Sequence, residues 1–230
     1  MIRLETIVSV TLRRVPREWA YARDHRERID RHWAQATAAN PKLWNGRTLI
    51  CTKARVKEGH FTAELVETDY ASFVAWRDWG RPDETVVNCF GIPAAFSADG
   101  GLLLGVMSAW TLNAGMAYPP SGSLEPKDVK PDGTVDIFGN MRTELLEETG
   151  LDLLHAVPGP MAAIFEGPRL AIVQRHDFPL NFAEMEQRFA AHTADDPHPE
   201  LARIEPLWKG QVADHRMPPY VAELIRHFHG

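Results

Sequence analysis

Residues 143–151 read Thr143-Glu144-Leu145-Leu146-Glu147-Glu148-Thr149-Gly150-Leu151, a stretch of helix formers that ends at a glycine. On a 3.6-residue period, Glu144, Glu147 and Glu148 stand at i, i+3 and i+4 and reach neighbouring points of one surface. Like charges at that spacing destabilise an isolated helix, and acids near a helix C-terminus also face the negative end of the macrodipole. A hard divalent cation such as Mg²⁺ or Mn²⁺ compensates both, because it prefers carboxylate and water oxygens and is often shared with a substrate phosphate. The competing reading is a solvated acidic face, which three glutamates alone do not exclude. Working outward, Ile137, Met141 and Leu145 form an inward apolar stripe, so the spacing predicts a helix from about Asp136 to Glu148 with Gly150 as a left-handed cap.

The segment resembles the Nudix box, whose pattern is Gly-x5-Glu-x7-Arg-Glu-hydrophobic-x-Glu-Glu-x-Gly-hydrophobic. Glu144, Leu145, Glu147, Glu148, Gly150 and Leu151 match its second half, and Gly122-Ser-Leu-Glu125-Pro126 looks like its opening loop. Two departures mark a divergent version. Thr143 stands where the pattern has arginine, with Arg142 one place early, and about six extra residues around Asp128 to Asp132 separate the loop from the helix. The insertion, with Asp-Tyr and Trp-Asn-Gly segments upstream, is similar to the branch that includes a UDP-glucose-hydrolysing Nudix protein. The resemblance implies an α/β fold, a mixed curved sheet sandwiched between helices. It also implies metal ligation by Glu147 and Glu148, with Glu144 as a further ligand or as the base that activates water. Glu166, at a turn between later strands, is a second candidate base, since in this family the base often comes from a loop outside the box.

Composition narrows the function classes. At 230 residues and 44% hydrophobic, the chain can bury a sizeable core. A net charge of −6 gives no basic footprint for nucleic-acid binding, while free nucleotides remain acceptable ligands. Cys51 and Cys89 have no metal-ligand spacing and read as buried strand residues of a reducing compartment. No apolar run is long enough to cross a membrane and the first residues lack a signal-like segment, so a cytoplasmic protein without a membrane partner is expected.

Along the chain, Thr6–Leu12 reads as one strand. Pro16 opens a helix whose Trp19, Ala22, Arg26, Ile29 and Trp33 share a face. Residues 48–56 and 60–66 form a hairpin, and Thr68 or Asp69 caps a short helix through Trp79. A boundary is placed after residue 83. Residues 1–83 form an N-terminal α/β extension that packs on the same sheet or on a second subunit of a homodimer, and residues 84–230 form the hydrolase-like domain. In the latter, 85–96 and 102–107 form a second hairpin, 155–165 and 168–175 a third, with a helix around Phe182–Phe189, a late strand from Arg203 and a final helix from Pro218. Residues 113–133, rich in proline and glycine, read as a long functional loop.

Other chemistries fare worse. Ser121-Gly-Ser123 lacks a strand-to-helix elbow, the glycines make no dinucleotide fingerprint, and His25 and His32 read as solvated. His227 and His229 are expected to be exposed at the terminus. His176, at a strand end, is within reach of a phosphate or is structural. Arg142, Lys127 and Lys130 are the cations nearest the loop, and Trp110, Tyr118 and Phe138 flank it as candidate stacking surfaces. The expected activity is metal-dependent hydrolysis of a nucleoside diphosphate linked to another moiety, with a nucleotide sugar such as UDP-glucose first and ADP-ribose second. The alternative is a non-catalytic module that binds a nucleotide or a protein.

Overall fold

A computed structural model describes residues 2–111 and 113–229. In chain order the elements are β1 (Ile2–Ile7), β2 (Ser9–Arg14), α1 (Ala20–Asp24), α2 (Arg26–Ala39), β3 (Arg47–Lys57), β4 (His60–Asp69), α3 (Tyr70–Asp78), β5 (Val86–Phe96), β6 (Leu102–Met107) and β7 (Ala117–Tyr118). They continue with α4 (Ile137–Thr149), β8 (Val157–Glu166), β9 (Arg169–Asp177), α5 (Phe182–Thr193), β10 (Leu201–Leu207) and α6 (Pro219–Phe228). The expected mixed α/β architecture is what the chain adopts.

The stretch expected to be one strand from Thr6 to Leu12 is broken at Val8. β1 pairs antiparallel with β8, whereas β2 pairs parallel with β4. The sheet path runs β1-β8-β9-β5-β3-β4-β2, with β6 branching from β5 and carrying β7 and β10. Its two ends are therefore successive strands with a single residue between them, a span of at most about 7 Å. The sheet must curl almost onto itself to satisfy that, which local alternation cannot reveal. Phe61, Leu65, Cys51, Cys89, Met141 and Ile172 belong to the core inside the curl. The two cysteines are free and fully buried, as expected.

The N-terminal helix also departs from expectation. It begins at Ala20 rather than near Pro16 and divides at His25 into α1 and α2, although Trp19, Ala22 and Ile29 are buried as the spacing required. Asp69 caps α3 by accepting from the Ser72 N–H at 2.7 Å. The loop around 113–133 is pinned rather than free. It contains β7, a 3-10 turn at Pro126–Asp128, and isolated bridges Phe90–Ser123 and Val129–Val135. His229 is buried against Phe96, not exposed as the terminal position implied.

α4 closes the core by lying on β5. Gly91 makes the close approach possible, since a Cβ there would stand 2.6 Å from Met141 Cγ and 3.1 Å from Ile137 Cγ1. Among the described residues no helix is long and apolar enough to cross a membrane.

Candidate functional site

Both ends of α4 are set by its own sequence. The Asp136 carboxylate accepts from the Gly139 N–H at 3.0 Å, and Gly150 takes the left-handed conformation at φ 72°. Ile137, Met141 and Leu145 are buried, which turns Glu144 and Glu148 toward the 121–125 loop.

The loop is held against the helix by the buried Asn140 and the half-buried Asp128. Asn140, almost fully buried one turn before Glu144, donates through Nδ2 to Glu144 Oε1 at 3.3 Å, to Asp128 Oδ2 at 3.3 Å and to the Ser123 carbonyl at 3.4 Å. Asp128 Oδ2 also accepts from the Glu125 N–H at 2.8 Å. Burial raises the Asp128 carboxyl above the usual aspartate range, with the Glu125 backbone bond opposing. The extra residues between loop and helix thus supply the pin that joins them.

Behind this loop lies a cavity of about 390 Å³ lined by Glu125, Glu144, Glu148, Glu200, Thr48, Arg47, Tyr118 and Ser121–Ser123, among others. Arg47, the one cation on its wall among the described residues, is engaged by Glu67 at 3.0 Å. Burial pushes the Glu144 carboxyl up to about 7; Lys127 opposes, while Glu147, Glu125 and Glu200 add to the rise. Burial likewise holds Glu148 well above the usual range, helped by the charges of Glu200, Glu144 and Glu147 and countered by the Ser121 N–H. Glu200 is raised by burial and by Glu147. Tyr118, whose hydroxyl accepts from Asn113 Nδ2 at 2.9 Å, is pushed up to about 12 by its burial.

Of the residues singled out from sequence, Glu144 and Glu148 meet in this cavity. Glu147 is exposed on the same helix and does not line it, though its charge reaches its neighbours; its backbone carbonyl bonds to His192 on α5 at 2.8 Å. Lys127 lies beside Glu125 at 3.4 Å and acts electrostatically on Glu144 and Glu147. Glu166 sits at the end of β8, paired with Arg169 at 3.0 Å and off the cavity wall. Arg142 points away, with Nε 2.7 Å from Asp152 Oδ1 and Nη2 2.9 Å from Oδ2. Trp110 is exposed beneath the Lys42 amine and does not line the cavity, whereas Trp44 does. Lys130 pairs with Asp136 at 3.0 Å, and Phe138 is exposed.

His176 is buried, lines neither this cavity nor its neighbour, and among the described residues has no hydrogen-bond partner on either ring nitrogen. Its burial lowers it to about 4, the state of a neutral core histidine. His25 and His32 are spent on the Tyr21 carbonyl at 2.9 Å and on Asp78 at 2.9 Å.

Glu200 is the residue that sequence reasoning missed. It precedes β10 and is positioned by Ser108, whose N–H donates to the Glu200 carbonyl at 2.9 Å and whose hydroxyl donates to the Pro199 carbonyl at 2.7 Å. Nothing in Pro197-His-Pro-Glu200 differs locally from an ordinary polar turn, so no local signal marks it.

Carboxylate oxygens are the donors a hard divalent cation prefers. Among the described residues, however, no three acidic, histidine or cysteine side chains already stand close enough to hold a metal ion. The carboxyls of Glu144, Glu148 and Glu200 are raised first by their loss of hydration and then by the like charges around them.

No protein-family model matches the chain, and no curated protein matches it. Among solved structures, DR0079 from Deinococcus radiodurans is similar over 60% of this chain and 80% of its own, with 14% identity and a TM-score of 0.39. RenU, a Nudix hydrolase from M. smegmatis, is similar over the same shares, with 17% identity and a TM-score of 0.37. Likeness of this degree carries no argument about activity.

Proposed function

We propose that the chain is a Nudix-type pyrophosphohydrolase that cleaves a nucleoside diphosphate linked to another moiety, giving a nucleoside monophosphate and a phosphorylated product. The supporting observation is the convergence of Glu144, Glu148 and Glu200 on one cavity behind a loop and helix whose sequence resembles the box. By chemical type, carboxylate oxygens are the donors that Mg²⁺ or Mn²⁺ takes. Glu148 and Glu200 would hold the ion, and Glu147 would add charge at the rim. When bound, such an ion neutralises the diphosphate and lowers the pKa of a coordinated water.

This chain's residues supply the rest. Glu144, with a carboxyl near 7, is matched to accepting the proton that a water loses as it attacks phosphorus, while the bridging P–O bond breaks and its electrons leave with the departing phosphate. Asn140 orients Glu144 through Oε1. The Ser121 N–H, directed at Glu148, holds the second carboxylate. Nucleotide sugars and ADP-ribose are the substrate classes to try first. A non-catalytic nucleotide-binding module is the second reading, favoured by Thr143 in place of arginine and by carboxylates that do not yet converge on one point.

The test is release of nucleoside monophosphate from a panel of nucleotide sugars and dinucleotides, with and without Mg²⁺ or Mn²⁺. Cation-dependent turnover that Glu148→Gln removes supports the hydrolase. Saturable nucleotide binding with no turnover of any member sinks it in favour of the module.

A further inference from the structure

A second cavity, of about 560 Å³, adjoins the carboxylate cavity and shares Tyr70, Asn113, Tyr118 and Ser121–Ser123 with it. Their walls have opposite charge. The first presents four glutamates and Arg47, which Glu67 engages; the second presents Arg77, Arg81, Arg169 and His215 and, among the described residues, no acidic side chain. In a chain of net charge −6, three guanidinium groups gathered on one concave wall lack any general electrostatic cause.

Arg81 is the least compensated of the three. Arg77 is tied to Asp78 at 2.8 Å and Arg169 to Glu166 at 3.0 Å, whereas no acid lies within salt-bridge distance of Arg81 among the described residues. Its backbone is also unusual. Arg81 is a non-glycine residue in the left-handed region at φ 60°, with its N–H fixed to the Trp76 carbonyl at 2.8 Å. Such a conformation persists only where its surroundings impose it. Burial, with the charges of Arg169 and Arg77, depresses the Arg81 guanidinium below its ordinary range, against the opposing charge of Glu166.

Tyr70, Phe73, Trp76, Phe90, Tyr118 and Tyr220 add aromatic surface to the same wall. Phe90 and Tyr220 meet edge to face at 5.7 Å, and Tyr70 stacks on Phe73 at 5.8 Å. A planar ring and an anion are what such a wall accommodates together.

We infer that this second cavity binds a further phosphate of the substrate, carried on a nucleoside half of the molecule outside the diphosphate that is cleaved. The inference rests on the hydrolase reading for the neighbouring site and narrows its substrate class. A neutral hexose leaves Arg81 without an acceptor; a dinucleotide or ADP-ribose derivative with a phosphorylated ribose supplies one. The acidic cavity then handles the diphosphate, and the basic cavity selects the molecule by its extra charge. Arg77 and Arg81 both belong to the first 83 residues, so the N-terminal region would contribute the selectivity.

The experiment uses substrate pairs that differ by one phosphate: ADP-ribose against its 2′-phosphate, and NADH against NADPH, each with Mg²⁺. Charge-assisted hydrogen bonds contribute enough that kcat/KM should favour the phosphorylated member by roughly ten-fold or more. In Arg81→Gln, and separately in Arg77→Gln, that ratio should fall toward one, with circular dichroism showing the fold retained. A parent ratio near one, or a ratio kept in both folded variants, overturns the inference. Calorimetry without divalent cation, comparing adenosine 2′,5′-bisphosphate with AMP, separates the two claims. Tighter binding of the bisphosphate, lost in the variants, upholds the basic cavity even where nothing is hydrolysed. Hydrolysis of both pair members without preference upholds the hydrolase and removes the basic cavity's role.

Discussion

Gly122 lies so close to Glu144 that a Cβ on residue 122 would overlap Cδ and both carboxylate oxygens. The main chain of the loop is thus the wall against which the glutamate rests, and Asn140 donates to its Oε1 at 3.3 Å. The glycine is needed for space, since its φ is not among the positive values. Gly122→Ala should therefore keep the fold and displace Glu144. A displacement of about 1 Å at a reacting group costs on the order of 100-fold, and kcat should fall by that order. A variant with unchanged kcat would show that Glu144 does not act from this position.

Glu144 gives a pH signature for the cation-free protein. Its carboxyl, pushed by burial up to about 7 in the folded chain, lies above the ordinary glutamate value of 4.5. For an acid raised on folding, the stabilising contribution is complete below the unfolded value and is lost as pH climbs through the folded one. Glu144→Gln should accordingly raise the melting temperature at pH 8 and change it little at pH 4, with the difference developing between about 4.5 and 7. Melting curves at several pH values measure this. An equal shift at both extremes would assign the effect to packing rather than charge.

Glu148→Gln and Glu200→Gln should each lower turnover by about 100-fold or more, because removing a charged group from an ion site or its close support typically costs 10- to 100-fold even when the group is only in support. The Glu200 variant is the sharper check. If it turns over nucleotides at the parent rate while Glu148→Gln is inactive, the ion is held by α4 alone.

Arg142 is committed to Asp152, so it does not replace the arginine expected at position 143. Along a helix, one residue is a turn of ~100°, and the two positions face different surroundings. Thr143→Arg should tighten Mg²⁺ binding by roughly ten-fold, the scale of a supporting contact to ligand carboxylates. Calorimetric titration decides it. Arg142→Ala, by contrast, should leave Mg²⁺ affinity alone.

Gly91 tests how α4 is seated. With Met141 Cγ 2.6 Å from the position of an added methyl, Gly91→Ala should cost about 1–3 kcal/mol, the usual range for overpacking a filled core. Denaturant melts would report it, and a neutral result would mean that α4 can lift from β5.

What the chain's sequence determined by itself was local. The 3.6-residue stripe of Ile137, Met141 and Leu145 and the caps at Asp136 and Gly150 depend on neighbours a turn away, so the span and the inward face of α4 were legible. The same holds for the hairpin of β3 and β4 and for the Asp69 cap. Partners distant in sequence were decided only by the tertiary structure. Val8 divides an apparently continuous strand because its halves pair with β8 and β4, at opposite ends of the curled sheet. Glu200 and Arg81 reach the cavities from segments whose sequence carries no periodic signal, and Glu166 and Trp110 stay off the carboxylate cavity although their residue types suited it. Helix periodicity and caps are set by bonds within a few residues, whereas the convergence of charges on a cavity is set by long-range packing, which leaves no local pattern to read.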